Sequence, residues 1–361
     1  AQQANVSSTM MASWIWGSSI GAAITGIILS IKYKVPIITA WSAPGTALLV
    51  ALFPHISLNE VVAAYITSAV IIFFIGITGS FDKLLKWIPQ GVAAGMMAGI
   101  LFQFGVGLFK ATDSMPYVVF GMLACFLLAK RFSPRYAIIW VLLSGIALSV
   151  LFGKINPVPM NFSLAIPELI MPEWTWSSTL NLAIPLTIVS LTGQFLPGMA
   201  ILKLSGYNTP AKPILSVASI VSLAVAITGG ITIVLAAITA ALCTGKDSHE
   251  LKEKRYIAGI ANGIFYILGG LFAGSIVMLF SILPKELVAA LAGLALLGAI
   301  ATNISVAMKD ESQRDAALIT FLATVSGMHL LGFSSVFWGI CIGMISHLVL
   351  SKREEKIITP P

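Results

Sequence analysis

Charge is what this sequence has least of. Its 361 residues include 21 Lys and Arg and 14 Asp and Glu, so charged residues make up 10% of the chain, against ~25% in an ordinary soluble protein. A soluble domain of this length needs a charged skin, and this chain cannot supply one. Cysteine is also scarce. Cys125, Cys243 and Cys341 all fall inside apolar runs without CxxC or CxxH spacing, so no zinc site or disulfide framework is indicated. The net charge of +7 is spread singly or in small groups between apolar runs, which argues against a nucleic-acid partner. What the chain has instead is apolar residues, 58% of the total, with a mean hydropathy of +0.96. The composition predicts an all-α polytopic membrane protein.

A helix needs ~20 mostly apolar residues to cross a bilayer. Thirteen uncharged runs offer such segments: 9–31, 36–53, 59–80, 89–109, 115–129, 136–153, 179–202, 213–228, 229–244, 256–283, 286–308, 316–332 and 334–351. The distribution of positive charge supports the count. With the start of the chain outside and the C-terminus inside, only Lys110, Lys154 and Lys285 of the 21 Lys and Arg fall in outer connections, the bias expected of inward-facing loops. Merging or losing one central segment would destroy that bias. The one long connection, 154–178, is external and Pro-rich.

Two runs are unusual. Segment 36–53 carries Pro44-Gly45 in its middle, and 213–245 is uncharged for too long to be one crossing yet is broken at Thr228-Gly229-Gly230. For 229–244, a short extended stretch followed by a half-helix reaches across where a full helix would not. The two runs resemble each other at an offset of 193, which sets Thr39 on Thr232 and Ala43 on Ala236. A second match, Ile88–Val92 with Leu283–Leu287, has an offset of 195. The charge assignment makes the two runs cross in opposite directions. Such an inverted repeat is the pattern of secondary transporters, whose interrupted segments mark the binding site.

The runs hold no convincing buried charge, no metal-ligand cluster and no nucleophile–base pair, so neither a cofactor nor an enzyme is expected. What remains is backbone. A helix that starts in mid-membrane presents unpaired N–H groups and the positive end of its dipole, and two such ends facing each other hold an anion without a cationic side chain. Ser42 is placed to cap the first half-helix, and Thr232 with the stretch through Leu235 to Ala236 is the counterpart in the second. Trp41 reads either as a stacking surface for an aromatic ligand or as packing between domains. In 179–202, Thr192 and Gln194 are polar groups that need partners in lipid, and Phe195 follows them. Gln103, Asn262 and Asn303 read as ties between helices. His329, inside 316–332, is the one titratable group at plausible depth and the candidate for proton coupling.

The stretches YKVPIITAWSAPGTALLV (33–50), LTGQFLPGMAILKLSGY (191–207), AGIANGIFYILGGLFAG (258–274), AGLALL (292–297) and SSVFWGICIG (334–343) resemble the benzoate–proton symporter family (BenE type) over essentially the whole chain. That family resembles the uracil-transporter fold. The resemblance implies fourteen segments as two inverted sevens, the first of them absent from this chain. It also implies a core domain of 9–80 with 179–283 and a gate domain of 89–153 with 286–351. The related nucleobase carriers place a carboxylate in the eighth segment, where this chain has Thr192-Gly193-Gln194.

The expected function is therefore import of an aromatic carboxylate, benzoate, with a proton across a bacterial inner membrane. The carboxylate would lie between Ser42–Ala43 and Leu235–Ala236, with side-chain bonds from Gln194, Thr39 and Thr232 and ring contact from Trp41 or Phe195. A carrier of another anion or nucleobase, or an anion channel, is the alternative. The number of copies is left open, a homodimer included.

Overall fold

Helix ends in this chain follow local chemistry. In the computed structural model, which describes residues 6–53, 56–85, 87–154, 164–245 and 248–354, Ser7 caps α1 (Ser8–Tyr33) by accepting from the Met10 N–H. Helix α3 (Leu58–Thr78) opens with a reciprocal capping box between Ser57 and Glu60. His55 and residues 155–163 of the outer connection lie outside the described residues.

Between α1 and α3 the chain does not form one helix. It runs as a strand, β1 (Thr39–Trp41), and then a ten-residue helix, α2 (Ala43–Leu52). The other helices of the first part are α4 (Gln90–Lys110), α5 (Pro116–Phe132) and α6 (Ala137–Leu151). The second part holds α7 (Trp176–Leu204), α8 (Ala211–Ala226), strand β2 (Ile233–Leu235) and the short helix α9 (Ala237–Thr244). It continues with α10 (Tyr256–Leu271), α11 (Ala273–Ile282), α12 (Lys285–Lys309), α13 (Glu311–Val325) and α14 (Ser335–Glu354). Each apolar run of the sequence falls on one of these helices or strand–helix units. Among the described residues, six helices are long and apolar enough to cross a membrane. A seventh is added if α10 and α11, bent by 68° at their junction, count as one span.

One boundary moves. The run 316–332 does not end as a helix, because α13 spans Glu311–Val325 and Gly327 turns the chain at φ +65°. His329 therefore sits in the irregular connection before α14, exposed, next to the small bridge between Leu330 and Phe333. The apolar letters MHLLGF carry the look of a membrane segment without its hydrogen bonds.

Packing falls into two sets. In one, α1 packs on α10 and α8 packs on α3, with the two strand–helix units and α7 among them. In the other, α4 packs on α12 and α13, α5 on α6, and α13 on α14. The sets meet at an apolar seam, where Leu48 and Leu52 of α2 and Leu186 of α7 join Met97, Ile100 and Leu101 of α4. Gln103 donates across helices to Val325 O at 3.1 Å, as a tie should. Asn303 instead bonds Ala299 O in its own helix.

Candidate functional site

The site begins with the two strands. β1 and β2 pair antiparallel with Thr39 opposite Leu235, Ala40 opposite Val234 and Trp41 opposite Ile233. The ladder continues one rung at each end: the Ser42 N–H donates to Thr232 O at 3.0 Å, and the Ala236 N–H to Ile38 O at 2.9 Å. Each strand then turns into a short helix. The helices leave opposite ends of the ribbon, and both N-termini point back at it. Four residue steps along the ribbon separate Ser42 from Ala236, about 13 Å at ~3.3 Å per step.

The structural correspondence of the two units is 194, one more than the offset read from matching letters. Ser42 is thus equivalent to Ala236, and Ala43 to Ala237. The consequence is chemical. Ser42 Oγ accepts from the Gly45 N–H at 3.1 Å, and Pro44 has no N–H, so the Ala43 amide is the donor left in the first turn of α2. Helix α9 has no side-chain cap. The amides of Ala237 and Thr239 find no acceptor among the described residues. Thr232 is not the cap of α9, because it precedes β2. Its hydroxyl is buried without a hydrogen-bond partner among the described residues.

Helix α7 supplies the third side. Pro185 and Pro197 lack the N–H that would bond the carbonyl four residues back, and their rings crowd it. The ladder slips to a five-residue step before each proline, at Thr179–Ala183 and at Leu191–Phe195. Such π turns gather at functional positions. The second carries Thr192 and Gln194 against β2 and α4. A Cβ on Gly193 would come 2.9 Å from Met97 Cε, and one on Gly198 2.6 Å from Leu235 Cβ, so both glycines set how closely α7 approaches its neighbours.

These elements divide the candidate residues into two groups. Trp41 and Ala43 are exposed, and Thr192, Gln194 and Ala236 are partly so. Thr39, Ser42, Phe195, Thr232 and Leu235 are buried. The Thr39 hydroxyl donates to Ala22 O of α1 at 2.7 Å. Phe195 packs with Leu202, Tyr207, Val234 and Leu235 instead of reaching an open face. The Thr192 hydroxyl donates to Ile188 O at 2.7 Å. The side-chain amide of Gln194 makes no hydrogen bond among the described residues. The indole of Trp41 meets Tyr266 of α10 edge-on at 5.5 Å. Tyr266 went unnoticed in the sequence, although a tyrosine inside an apolar run is a visible signal. Met97 carried no signal of its own. His329 is away from the ribbon, on the wall of a separate cavity of about 970 Å3 that none of the other candidate residues lines.

A strand–helix pair crossing inside a helical bundle places this protein in a class of membrane transporter folds. It is similar in fold to SLC26A9, with a TM-score of 0.60 at 13% identity over 96% of this chain. The chain spans 65% of the length of that structure. It is also similar to the transmembrane domain of a cyanobacterium bicarbonate transporter, BicA, with a TM-score of 0.56 at 14% identity, covering 95% of this chain and 93% of that one.

The chain belongs to the benzoate membrane transport family, whose model, described as "Benzoate membrane transport protein", matches residues 1–349. It is 73% identical over 354 residues to the benzoate membrane transport protein of Acinetobacter baylyi, covering 98% of this chain and 90% of that protein. It is 35% identical over 353 residues to the inner membrane protein YdcO of Escherichia coli, with the same coverage. It is a multi-pass membrane protein of a transporter family.

Proposed function

We propose that this protein is a secondary carrier that imports benzoate together with a proton. The observation that carries the reading is the open first turn of α9, together with the unbonded Gln194 amide on the turn of α7 that packs against β2. Two backbone N–H groups, those of Ala237 and Thr239, at the positive end of a helix, with one side-chain amide, form a neutral cradle for a carboxylate. The Ala43 amide faces the same ribbon from the other end. Trp41 supplies the surface for the ring. Thr39, Ser42, Phe195, Thr232 and Leu235 are the scaffold that aims these groups. The names of the benzoate relatives support the choice of substrate.

The helices that pack on α4 and α12 act as a gate, and those around the strand ribbon act as the core that moves against it. Support comes from reciprocal packing: α1 with α10 mirrors α8 with α3, and α5 with α6 mirrors α13 with α14. This is the pairing that two seven-segment halves related by a two-fold axis in the membrane plane produce. Thirteen of those segments lie in this chain, which starts outside a bacterial inner membrane and ends inside.

The cradle has no carboxylate of its own, so the proton travels with the substrate as benzoic acid. Uptake of labelled benzoate into proteoliposomes tests the reading. Accumulation driven by an inward proton gradient, and outcompeted by benzoate over sulfate or uracil, is the expected result. Equilibration without accumulation identifies a channel and overturns it. The variant His329→Ala should keep pH-driven uptake. If it binds benzoate but loses that uptake, His329 carries the proton.

A further inference from the structure

The cavity of about 970 Å3 lies away from the half-helix starts, between the second half of α2, α4, the end of α11, the start of α12 and the connection before α14. Its walls are mostly apolar and include Phe53, Phe104 and Phe280. No carboxylate is among its lining residues, whereas Lys285 and His329 are.

Lys285 is out of place on two counts. It is one of three basic residues in connections that the charge bias assigns to the outside. It is also the first residue of α12, where its ammonium adds to the positive end of a long helix and destabilises it. Its ammonium makes no ion pair or hydrogen bond among the described residues. The pseudo-equivalent start of α4 has the neutral Gln90 at the same place, and its first turn is covered: the Gly91 N–H donates to Gln313 Oε1 at 3.0 Å. The start of α12 follows Pro284 and has no side-chain cap. The start of α4 is closed, whereas the start of α12, where Glu286 follows Lys285 in the first turn, opens on a cavity that Lys285 lines and Glu286 does not.

A second observation concerns Ser334, which also lines the cavity. Ser334 is 4% exposed and its Oγ has no hydrogen-bond partner among the described residues. Its backbone is held in place, because Asn181 Oδ1 accepts from the Ser334 N–H at 2.6 Å and Asn181 Nδ2 donates to Gly332 O at 3.0 Å. A fixed, buried hydroxyl without a partner is costly unless a ligand or water meets it.

We propose that this cavity is a second, weaker binding site for an organic monocarboxylate with an apolar ring. Lys285 and the α12 start attract the anion, Ser334 donates to it, and the aromatic walls take the ring. The site collects substrate from the outer solution before it reaches the ribbon. The inference rests on the benzoate reading above.

Equilibrium binding of labelled benzoate to the full-length purified protein tests it. Two classes of site are expected per chain. Lys285→Gln should weaken the looser class at least tenfold and leave the tighter within twofold, while Lys285→Arg keeps both. Raising chloride should weaken the looser class selectively. Gln194→Leu should do the reverse, weakening the tighter class about tenfold and sparing the looser. A single class that Lys285→Gln leaves unchanged and Gln194→Leu weakens overturns the cavity site and leaves the benzoate reading standing. No saturable benzoate binding in the folded wild-type protein overturns both.

Discussion

The two half-helices occupy equivalent places and are finished differently. Helix α2 begins with a serine cap and a proline, which together leave one first-turn amide as a donor. Helix α9 begins with Ala236 and leaves two among the described residues, Ala237 and Thr239. A serine cap stabilises a helix by about 1 kcal/mol over alanine. Helix α9 forgoes that stabilisation and keeps its donors. The comparison teaches that two units can share backbone geometry and differ in how many first-turn donors they leave open.

The strongest way to break this comparison is Ala237→Pro. Proline fits the first position of a helix, and the backbone of Ala236, with φ −91° and ψ 88°, lies outside the α region that a following proline disfavours. The substitution deletes one donor with little cost to the fold. The expected loss of a charge-assisted hydrogen bond, ~1.5–3 kcal/mol, weakens benzoate affinity by about ten- to a hundredfold, read by isothermal calorimetry. Unchanged affinity would show that the α9 amides do not meet the ligand. Next in size is Gln194→Leu, for which about a tenfold loss of affinity is expected with thermal stability retained.

Ala236→Ser sharpens the comparison by giving α9 the finish of α2. The new hydroxyl should raise the melting temperature and compete with the ligand for the first-turn amides, lowering affinity by roughly threefold to tenfold. The opposite change, Ser42→Ala, should cost about 1 kcal/mol of stability and alter affinity less than Ala236→Ser does. A denaturation series on both variants separates the two roles. The smallest effect belongs to a charged cap. Asp310 opens α13, and hydrogen bonds from the Ser312 hydroxyl and backbone hold its carboxyl below the usual carboxylate range. A folded-state value below the unfolded one means that its stabilisation is present above the ordinary carboxylate range. It is lost as pH falls through the lowered value. Asp310→Asn should therefore flatten the acid limb of the pH–stability curve slightly.

Much of the architecture was legible because lipid imposes a simple demand. A backbone in hydrocarbon must bond to itself, so crossings appear as long uncharged runs and their interruptions as Pro and Gly. The strand–helix units at Pro44-Gly45 and Gly229-Gly230 were readable on that ground. The register between them was not. Thr39 and Thr232 match as letters, yet Thr39 is equivalent to Ile233, because small and apolar residues repeat too often for letters to fix a one-residue shift.

Which groups lie around the strand ribbon was thus written in the sequence: Trp41, Ser42, Gln194 and the alanines at 43 and 236. Which of them face it was decided by tertiary contacts. Pairing of the strands turned Thr39 onto α1, and the slipped turn before Pro197 left Gln194 open while burying Phe195. A side chain's direction depends on the helix or strand opposite it, and that partner lies elsewhere in the chain.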